Sequence, residues 1–192
     1  MKRENLIYVL VIAAMLMLCT SIVAVPFISF SDEETGRGLY AAFSPLCHQK
    51  LSRSHCVFHD DLGYFIADCT PQKGEFVVDD RNVISVEADG IKGYKFPVCS
   101  RDVGLYFGLL LGAVAYPFVR KIGDRQIPPA IYLIAALVPI ALDGGVQFVS
   151  DLGLLPFIYE STNLTRIITG FISGSVSSFY IIPLLQNLFG KD

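Results

Sequence analysis

The sequence predicts an all-α membrane fold, a bundle of four transmembrane helices with a small extracytoplasmic, partly β, cysteine-containing insert. Two observations predict it: 53% of the 192 residues are hydrophobic, and these residues cluster in four long runs with few charges. Soluble domains average about 45–50% apolar residues, so the clustering decides the class more than the composition does. Buried helices of a soluble domain are the alternative, and four such runs in a chain of this length disfavour it.

The first run, Leu6–Phe30, carries no charge and is long enough to cross a hydrocarbon core of about 30 Å. The apolar region of a cleavable signal peptide has only about 7–15 residues, so this run predicts a membrane anchor. Three further runs follow at Val103–Val119, Pro128–Val149 and Thr165–Phe189. The expected division is into transmembrane helices at 1–30, 102–119, 128–149 and 165–192, an extracytoplasmic segment at 31–101, a cytoplasmic loop at 120–127 and an outer loop at 150–164.

Basic residues predict the orientation of the chain. They precede the first span, separate the second from the third and end the chain: Lys2, Arg3, Arg120, Lys121, Arg125 and Lys191. The positive-inside rule then predicts a multi-pass protein of the cell membrane with both termini cytoplasmic. The expected partners are the lipid bilayer and either an anionic lipid or a partner membrane protein. Nothing forms a basic stripe, so nucleic acid is excluded as a partner.

Glycines four residues apart predict close helix packing. Gly104, Gly108 and Gly112 recur in the second span, and Gly170 and Gly174 in the fourth. Small residues at this spacing let helix backbones approach each other in a bilayer. We therefore assign these glycines to packing rather than to a binding site.

The outer segment contains four of the five cysteines, Cys47, Cys56, Cys69 and Cys99. An even number of cysteines on an oxidising side of the membrane indicates disulfides. The expected pairs are Cys56–Cys69, favoured because it closes a short loop, and Cys47–Cys99. Short strand-like runs separated by turn residues also predict a β insert at about 70–96. This insert is too small to be stable without a disulfide or a similar constraint.

Ionisable residues inside a span predict a functional site, because an aspartate at the centre of a bilayer costs about 2.5–3.5 kcal/mol on insertion scales. Asp143 lies about 22 Å along the third span, and the predicted topology brings residues of three helices to the same level. The candidate catalytic residues are Asp143 as acid or base, Arg101 and Arg166 as anion ligands, Gln147 and Tyr106. The alternative is that Asp143 pairs with Arg166 or Arg101 and only links the helices.

Several ordered motifs resemble an uncharacterised family of small polytopic membrane proteins from archaea and some bacteria. They are CHQ at 47–49, Arg53-Ser54, PVCSRDVGLYFG at 97–108, DGGVQ at 143–147 and STNLTR at 161–166. The resemblance covers most of the chain apart from about 57–95, and it implies the architecture and a polar site without an established activity. Many members carry a second cysteine where this chain has Asp102. A thiol–disulfide centre of the C-x-x-C type needs both sulfurs and is disfavoured here.

A metal site is compatible with this exchange, because a carboxylate can replace a thiolate as a ligand to zinc or iron. The candidate ligands are Cys47, His48, Cys99 and Asp102, and the alternative is the Cys47–Cys99 disulfide. Two functions therefore stay open. One is a metal-binding membrane enzyme that acts at the outer leaflet on a lipid-linked or anionic substrate. The other is a non-enzymatic, disulfide-stabilised scaffold or assembly protein whose outer segment binds a partner.

Overall fold

A computed structural model describes residues 3–47, 49–69, 82–88 and 90–190. Within these ranges the chain forms five α-helices, a short 3₁₀ helix at Leu51–Arg53 and four β-strands. The helices are α1 (Arg3–Ser31), α2 (Glu33–Phe43), α3 (Ser100–Val119), α4 (Ala130–Asp151) and α5 (Asn163–Phe189). The strands are β1 (His55–Asp60), β2 (Gly63–Asp68), β3 (Ser85–Ala88) and β4 (Ile91–Lys95).

The elements form two compact units. The helical unit contains the chain up to Cys19 and resumes at Val103, and the sheet unit is Thr20–Asp102. Four helices, α1, α3, α4 and α5, are each long and apolar enough to cross a bilayer. The structure therefore confirms the predicted fold class of four membrane helices with a small β insert.

Helices α3 and α5 pack along a seam of glycines. Gly104, Gly108 and Gly112 each face a backbone carbonyl of α5, and an added Cβ would lie under 3.0 Å from that carbonyl oxygen. The Ser178 hydroxyl of α5 donates to the carbonyl of Leu109 at 2.7 Å. The glycine spacing thus marks a packing face, as predicted, and the close approach permits an interhelical hydrogen bond.

The first part of α1 packs on the same two helices. Its contact is centred on a buried apolar cluster of Ala113, Tyr116 and Ile182. The Tyr8 hydroxyl donates to the carbonyl of Ala113 at 3.0 Å, so a polar group within the span is satisfied by the neighbouring helix.

The sheet unit contains one antiparallel sheet with the strand order β2-β1-β4-β3. A disulfide joins Cys56 of β1 to Cys69, just after β2, and this is the pairing that the sequence favoured. Both cysteines belong to a small core with Leu51 and Phe58. The sheet starts at His55, earlier than the predicted insert at about 70–96, and positions 70–81 of that insert lie outside the described residues.

Helix α2 contacts the sheet through an ion pair and a hydrogen bond of Glu33. Asp32 caps its N-terminus by accepting from the N–H groups of Glu34 and Thr35 at 3.0 and 3.2 Å. The Glu33 carboxylate accepts from Lys92 Nζ at 2.8 Å and from the Tyr94 hydroxyl at 3.0 Å. Hydrogen bonds lower the pKa of Glu33 to about 2, and the bond from Lys92 has the largest effect.

Candidate functional site

Cys47, Cys99 and Asp102 lie together in the sheet unit. Cys47 follows α2, Cys99 directly precedes α3, and Asp102 is in the first turn of α3. Their ligating atoms, two sulfurs and a carboxylate oxygen, lie within 4.8 Å of one another. The sequence predicted these three residues as metal ligands, and the fourth predicted ligand, His48, lies outside the described residues.

Two backbone N–H groups point at the Cys47 sulfur. The N–H of Cys99 donates to Cys47 Sγ at 3.2 Å, and the N–H of Gln49 does so at 3.4 Å. Gln49 has a φ of 54°, a left-handed conformation that is uncommon outside glycine. The Cys99 thiol in turn donates to Asp102 Oδ2 at 3.0 Å. Cys99 therefore bonds to both neighbours, through its N–H to Cys47 and through its thiol to Asp102.

The two thiols differ in acidity. The side-chain hydrogen bond with Cys99 holds the pKa of Cys47 below its ordinary value, and the Gln49 N–H acts in the same direction against the effect of burial. The hydrogen bond with Cys47, together with burial, raises the pKa of Cys99. Cys47 is therefore the first of the two to become a thiolate. It does so beside the N-terminus of α3, where the helix dipole favours negative charge.

A buried lysine fixes the loop that carries Cys47. Lys95 of β4 is 0% exposed, and its Nζ donates to the carbonyl of Gln49 at 2.7 Å. Gln49 Nε2 donates to the carbonyl of Tyr40 at 2.7 Å, and the Tyr40 hydroxyl donates to the carbonyl of Lys95. These bonds connect α2, the Cys47 loop and β4. This role could not be predicted from the sequence, because a lysine in a strand ordinarily faces solvent.

The donor set of Cys47, Cys99 and Asp102 suits zinc or iron, which accept thiolate and carboxylate ligands. A tetrahedral zinc ion with Zn–S bonds of about 2.3 Å separates two ligand sulfurs by about 3.8 Å. Since the ligating atoms already lie within 4.8 Å, closing around an ion requires shifts of about 1 Å or less. These three residues would supply as many protein ligands as catalytic zinc sites use, which keep a further position for water or substrate.

A second polar group connects the sheet to the start of α3. His55 Nδ1 lies 2.8 Å from the Ser100 hydroxyl, and His55 Nε2 lies 3.3 Å from Asp68 Oδ1. Burial lowers the pKa of His55, and Asp68 partly offsets this. Ser100, the residue next to Cys99, is buried. The contact with His55 therefore positions Ser100 and does not present its hydroxyl as a nucleophile. The sequence did not identify His55 as part of a site, because its partners come from distant segments.

The helical unit contains a buried polar cluster between α4 and α5. Arg166 is 1% exposed; its Nη1 donates to Asn163 Oδ1 at 2.9 Å, and its Nη2 donates to Gln147 Oε1 at 3.3 Å. Asp143, one turn before Gln147, accepts from the Tyr159 hydroxyl at 2.9 Å. The structure thus brings together three predicted site residues, Asp143, Gln147 and Arg166.

Two residues of this cluster were not predicted. Asn163 stands three positions before Arg166, and residues at this spacing are neighbours on a helix, so the sequence held a usable signal. Tyr159 comes from the loop before α5 and had none. The other two predicted catalytic residues lie on α3, Arg101 in its first turn within the sheet unit and Tyr106 in the helical unit. The catalytic roles of all five predicted residues remain predictions.

Comparison with known proteins identifies the family. The uncharacterized protein MJ1492 of Methanocaldococcus jannaschii is 31% identical over 190 residues, which cover 96% of each chain. Residues 90–180 match the family described as "Predicted membrane protein (DUF2085)". The chain belongs to the DUF2085 family. This confirms the resemblance to a family of membrane proteins, and the matched range includes Cys99, Asp102, Asp143 and Arg166. No solved structure matches this DUF2085 protein.

Proposed function

We propose that this membrane protein binds one transition-metal ion, zinc or iron, at the start of α3. Cys47, Cys99 and Asp102 are the proposed ligands, with His48 as the candidate fourth. The observation that carries the proposal is the convergence of two sulfurs and a carboxylate within 4.8 Å, from segments more than 50 residues apart. If Cys47, Cys99 and Asp102 alone bound the ion, it would keep one open position and act as a Lewis acid, whereas binding by His48 as well would make the site a closed, structural one.

The residues around the ligands support this assignment. Lys95 and Gln49 fix the Cys47 loop, so the sulfur position is set by the fold before any ion binds. Arg101 stands directly beside Asp102 in the chain, and a guanidinium matches carboxylate or phosphate oxygens in a bidentate manner. We therefore propose an anionic substrate, such as a lipid headgroup, for an enzyme built on this site.

The test is metal content per chain, measured by mass spectrometry on protein purified without chelator or histidine tag. We expect about one ion per chain in the native protein, and loss of that ion in Cys47→Ser and Asp102→Asn. Cys19→Ser is the matched control because Cys19 is a buried thiol of α1 outside the cluster, and it should keep the ion. A native protein that carries no metal, takes up no added zinc and contains a Cys47–Cys99 disulfide by intact mass would refute the proposal.

A second candidate function, the non-enzymatic scaffold, is favoured by the cluster between α4 and α5. Its hydrogen bonds connect Arg166 to Gln147 and Asn163, and Tyr159 to Asp143. Polar side chains that bond across helices hold membrane bundles together. The Asp143→Asn variant distinguishes the two candidate functions. On the scaffold hypothesis this variant unfolds more easily and keeps its metal content unchanged, whereas an unaltered unfolding transition contradicts it.

We further propose that both termini are cytoplasmic, which places the sheet unit on the outer face of the cell membrane. Support comes from the basic residues that flank the spans, including Arg120, Lys121 and Arg125 in the loop between α3 and α4. A fluorescent protein fused to the C-terminus should fluoresce. Alkaline phosphatase fused in that same position should be inactive, and the reverse pattern would overturn the orientation.

A further inference from the structure

The β1–β2 side of the sheet exposes a row of apolar side chains. Leu62 at the hairpin tip is 97% exposed, Ile66 is 62% exposed and Tyr64 is 54% exposed. Tyr64 and Ile66 project from the same face of β2, because side chains alternate along a strand. We call these three residues the hairpin face. Large apolar side chains grouped in this way mark an interaction surface.

The hairpin face continues the surface of a membrane-spanning helix. Tyr64 packs edge-on against Phe27 and Phe30 of α1, with ring centroids 5.1 and 5.4 Å apart. Phe30 also packs against Tyr94 of β4 at 4.8 Å. All of these residues belong to the sheet unit. The exposed apolar row is therefore an extension of the end of α1 and is not an isolated patch.

The length of α1 places this contact at the membrane surface. The apolar stretch Leu6–Phe30 is about 37 Å long at about 1.5 Å per residue, whereas the hydrocarbon core is about 30 Å thick. Phe27 and Phe30 stand at the end of that stretch and so lie in the interfacial layer. Aromatic side chains such as Tyr64 are enriched at this level.

We propose that the hairpin face lies in the interfacial layer of the bilayer, with Leu62 and Ile66 inserted among the lipids. Continuity with α1 supports lipid as the occupant. Two aspartates limit how deeply the hairpin can enter the bilayer. The Asp60 carboxylate accepts hydrogen bonds within the turn, from the N–H groups of Leu62 and Gly63 at 2.8 and 3.0 Å. The exposed Asp61 beside it stays at the level of the headgroups.

The alternative occupant is a second copy of the chain. β2 is an edge strand, and edge strands can pair with another chain through their unpaired backbone groups. Such pairing would use the outer edge of β2, whereas the side chains of Tyr64 and Ile66 stand on the same face of the sheet as the Phe27 and Phe30 contact. The observed arrangement therefore favours lipid over strand pairing.

The chain contains no tryptophan, which makes a single introduced tryptophan a clean probe. Leu62→Trp reports on the hairpin face, and Glu87→Trp is the matched control at an exposed position of β3, the opposite edge strand. Each variant is reconstituted into phosphatidylcholine vesicles with or without brominated acyl chains. We expect blue-shifted emission and bromine quenching for Leu62→Trp, and neither for Glu87→Trp.

Three results would overturn the proposal. Unquenched, water-like emission from Leu62→Trp would place the hairpin face in solvent. Blue-shifted emission without quenching, which disappears when each nanodisc holds one copy, would show that a second chain covers the face. Equal quenching of Glu87→Trp would show that the lipid contact is not specific to the β1–β2 side of the sheet. Quenching that persists at one copy per nanodisc supports the lipid contact.

Discussion

The seam between α3 and α5 makes a quantitative prediction for Gly108→Ala. A Cβ at this position would lie under 3.0 Å from the carbonyl oxygen of Phe171. That oxygen belongs to the helix backbone, so a side-chain rotation cannot relieve the clash and the two helices must separate. The same separation stretches the interhelical hydrogen bond from Ser178 to Leu109.

The expected magnitude follows from two opposing effects. Overpacking of a well-packed interface costs about 1–3 kcal/mol, and replacing glycine by alanine inside a helix gains up to about 1 kcal/mol in propensity. With the full propensity gain, Gly108→Ala should therefore lower the free energy of unfolding by up to about 2 kcal/mol. The matched control is Gly145→Ala in α4, where an added Cβ meets nothing within 4 Å. It should leave stability unchanged or raise it by up to about 1 kcal/mol.

The assay is equilibrium unfolding in mixed micelles, with the mole fraction of sodium dodecyl sulfate as the denaturing variable. Native protein, Gly108→Ala and Gly145→Ala are compared at equal protein concentration. The two variants should move the transition in opposite directions, or Gly108→Ala alone should move it. Equal stability of the two variants would refute the argument, because it would mean that the close backbone approach does not limit the α3–α5 contact.

Three further changes give distinct expectations. Tyr159→Phe removes the hydrogen bond to Asp143 and should cost about 0.6–1.7 kcal/mol; an unshifted transition in the same assay would contradict a stabilising role. Cys56→Ser opens a disulfide that spans 13 positions and should cost the sheet about 3 kcal/mol, seen as faster hydrogen exchange in β1 with α5 unaffected. Because the pKa of Glu33 is lowered to about 2, its stabilisation is present above its unfolded pKa of about 4.3 and is lost as pH falls toward 2. Glu33→Gln should therefore flatten the acid limb of the stability profile, and an unchanged limb would contradict this.

The membrane helices were predictable because one local property, a long apolar run, decides them. The helices extend beyond the predicted runs at their polar ends, as at Asn163, where Thr162 caps α5 by accepting from the N–H of Thr165 at 3.2 Å. At the start of α3, Ser100, Arg101 and Asp102 are already helical. Hydropathy does not report such ends, since a capping side chain rather than an apolar one sets the boundary.

The sheet was only partly predictable because its pairing is not local. β1 reads HCVFHD, in which histidines and an aspartate interrupt the apolar alternation that marks a strand. Its partner β4 lies more than 30 residues later, and the register pairs Val57 with Tyr94. A strand of this kind is stable through its neighbours and through the Cys56–Cys69 disulfide, so the preceding and following residues alone do not reveal it.

The four outer cysteines show why an even number of cysteines did not by itself predict which of them form disulfides. Cys56 and Cys69 lie in an apolar core and are joined by a disulfide. Cys47 and Cys99 are thiols that share their space with Asp102. A carboxylate beside two sulfurs does not stabilise a disulfide between them, because a disulfide is uncharged. The same carboxylate completes a ligand set for a cation, whose charge would offset both the thiolate and the aspartate. We therefore propose that Asp102 favours a metal ion over a second disulfide at this site.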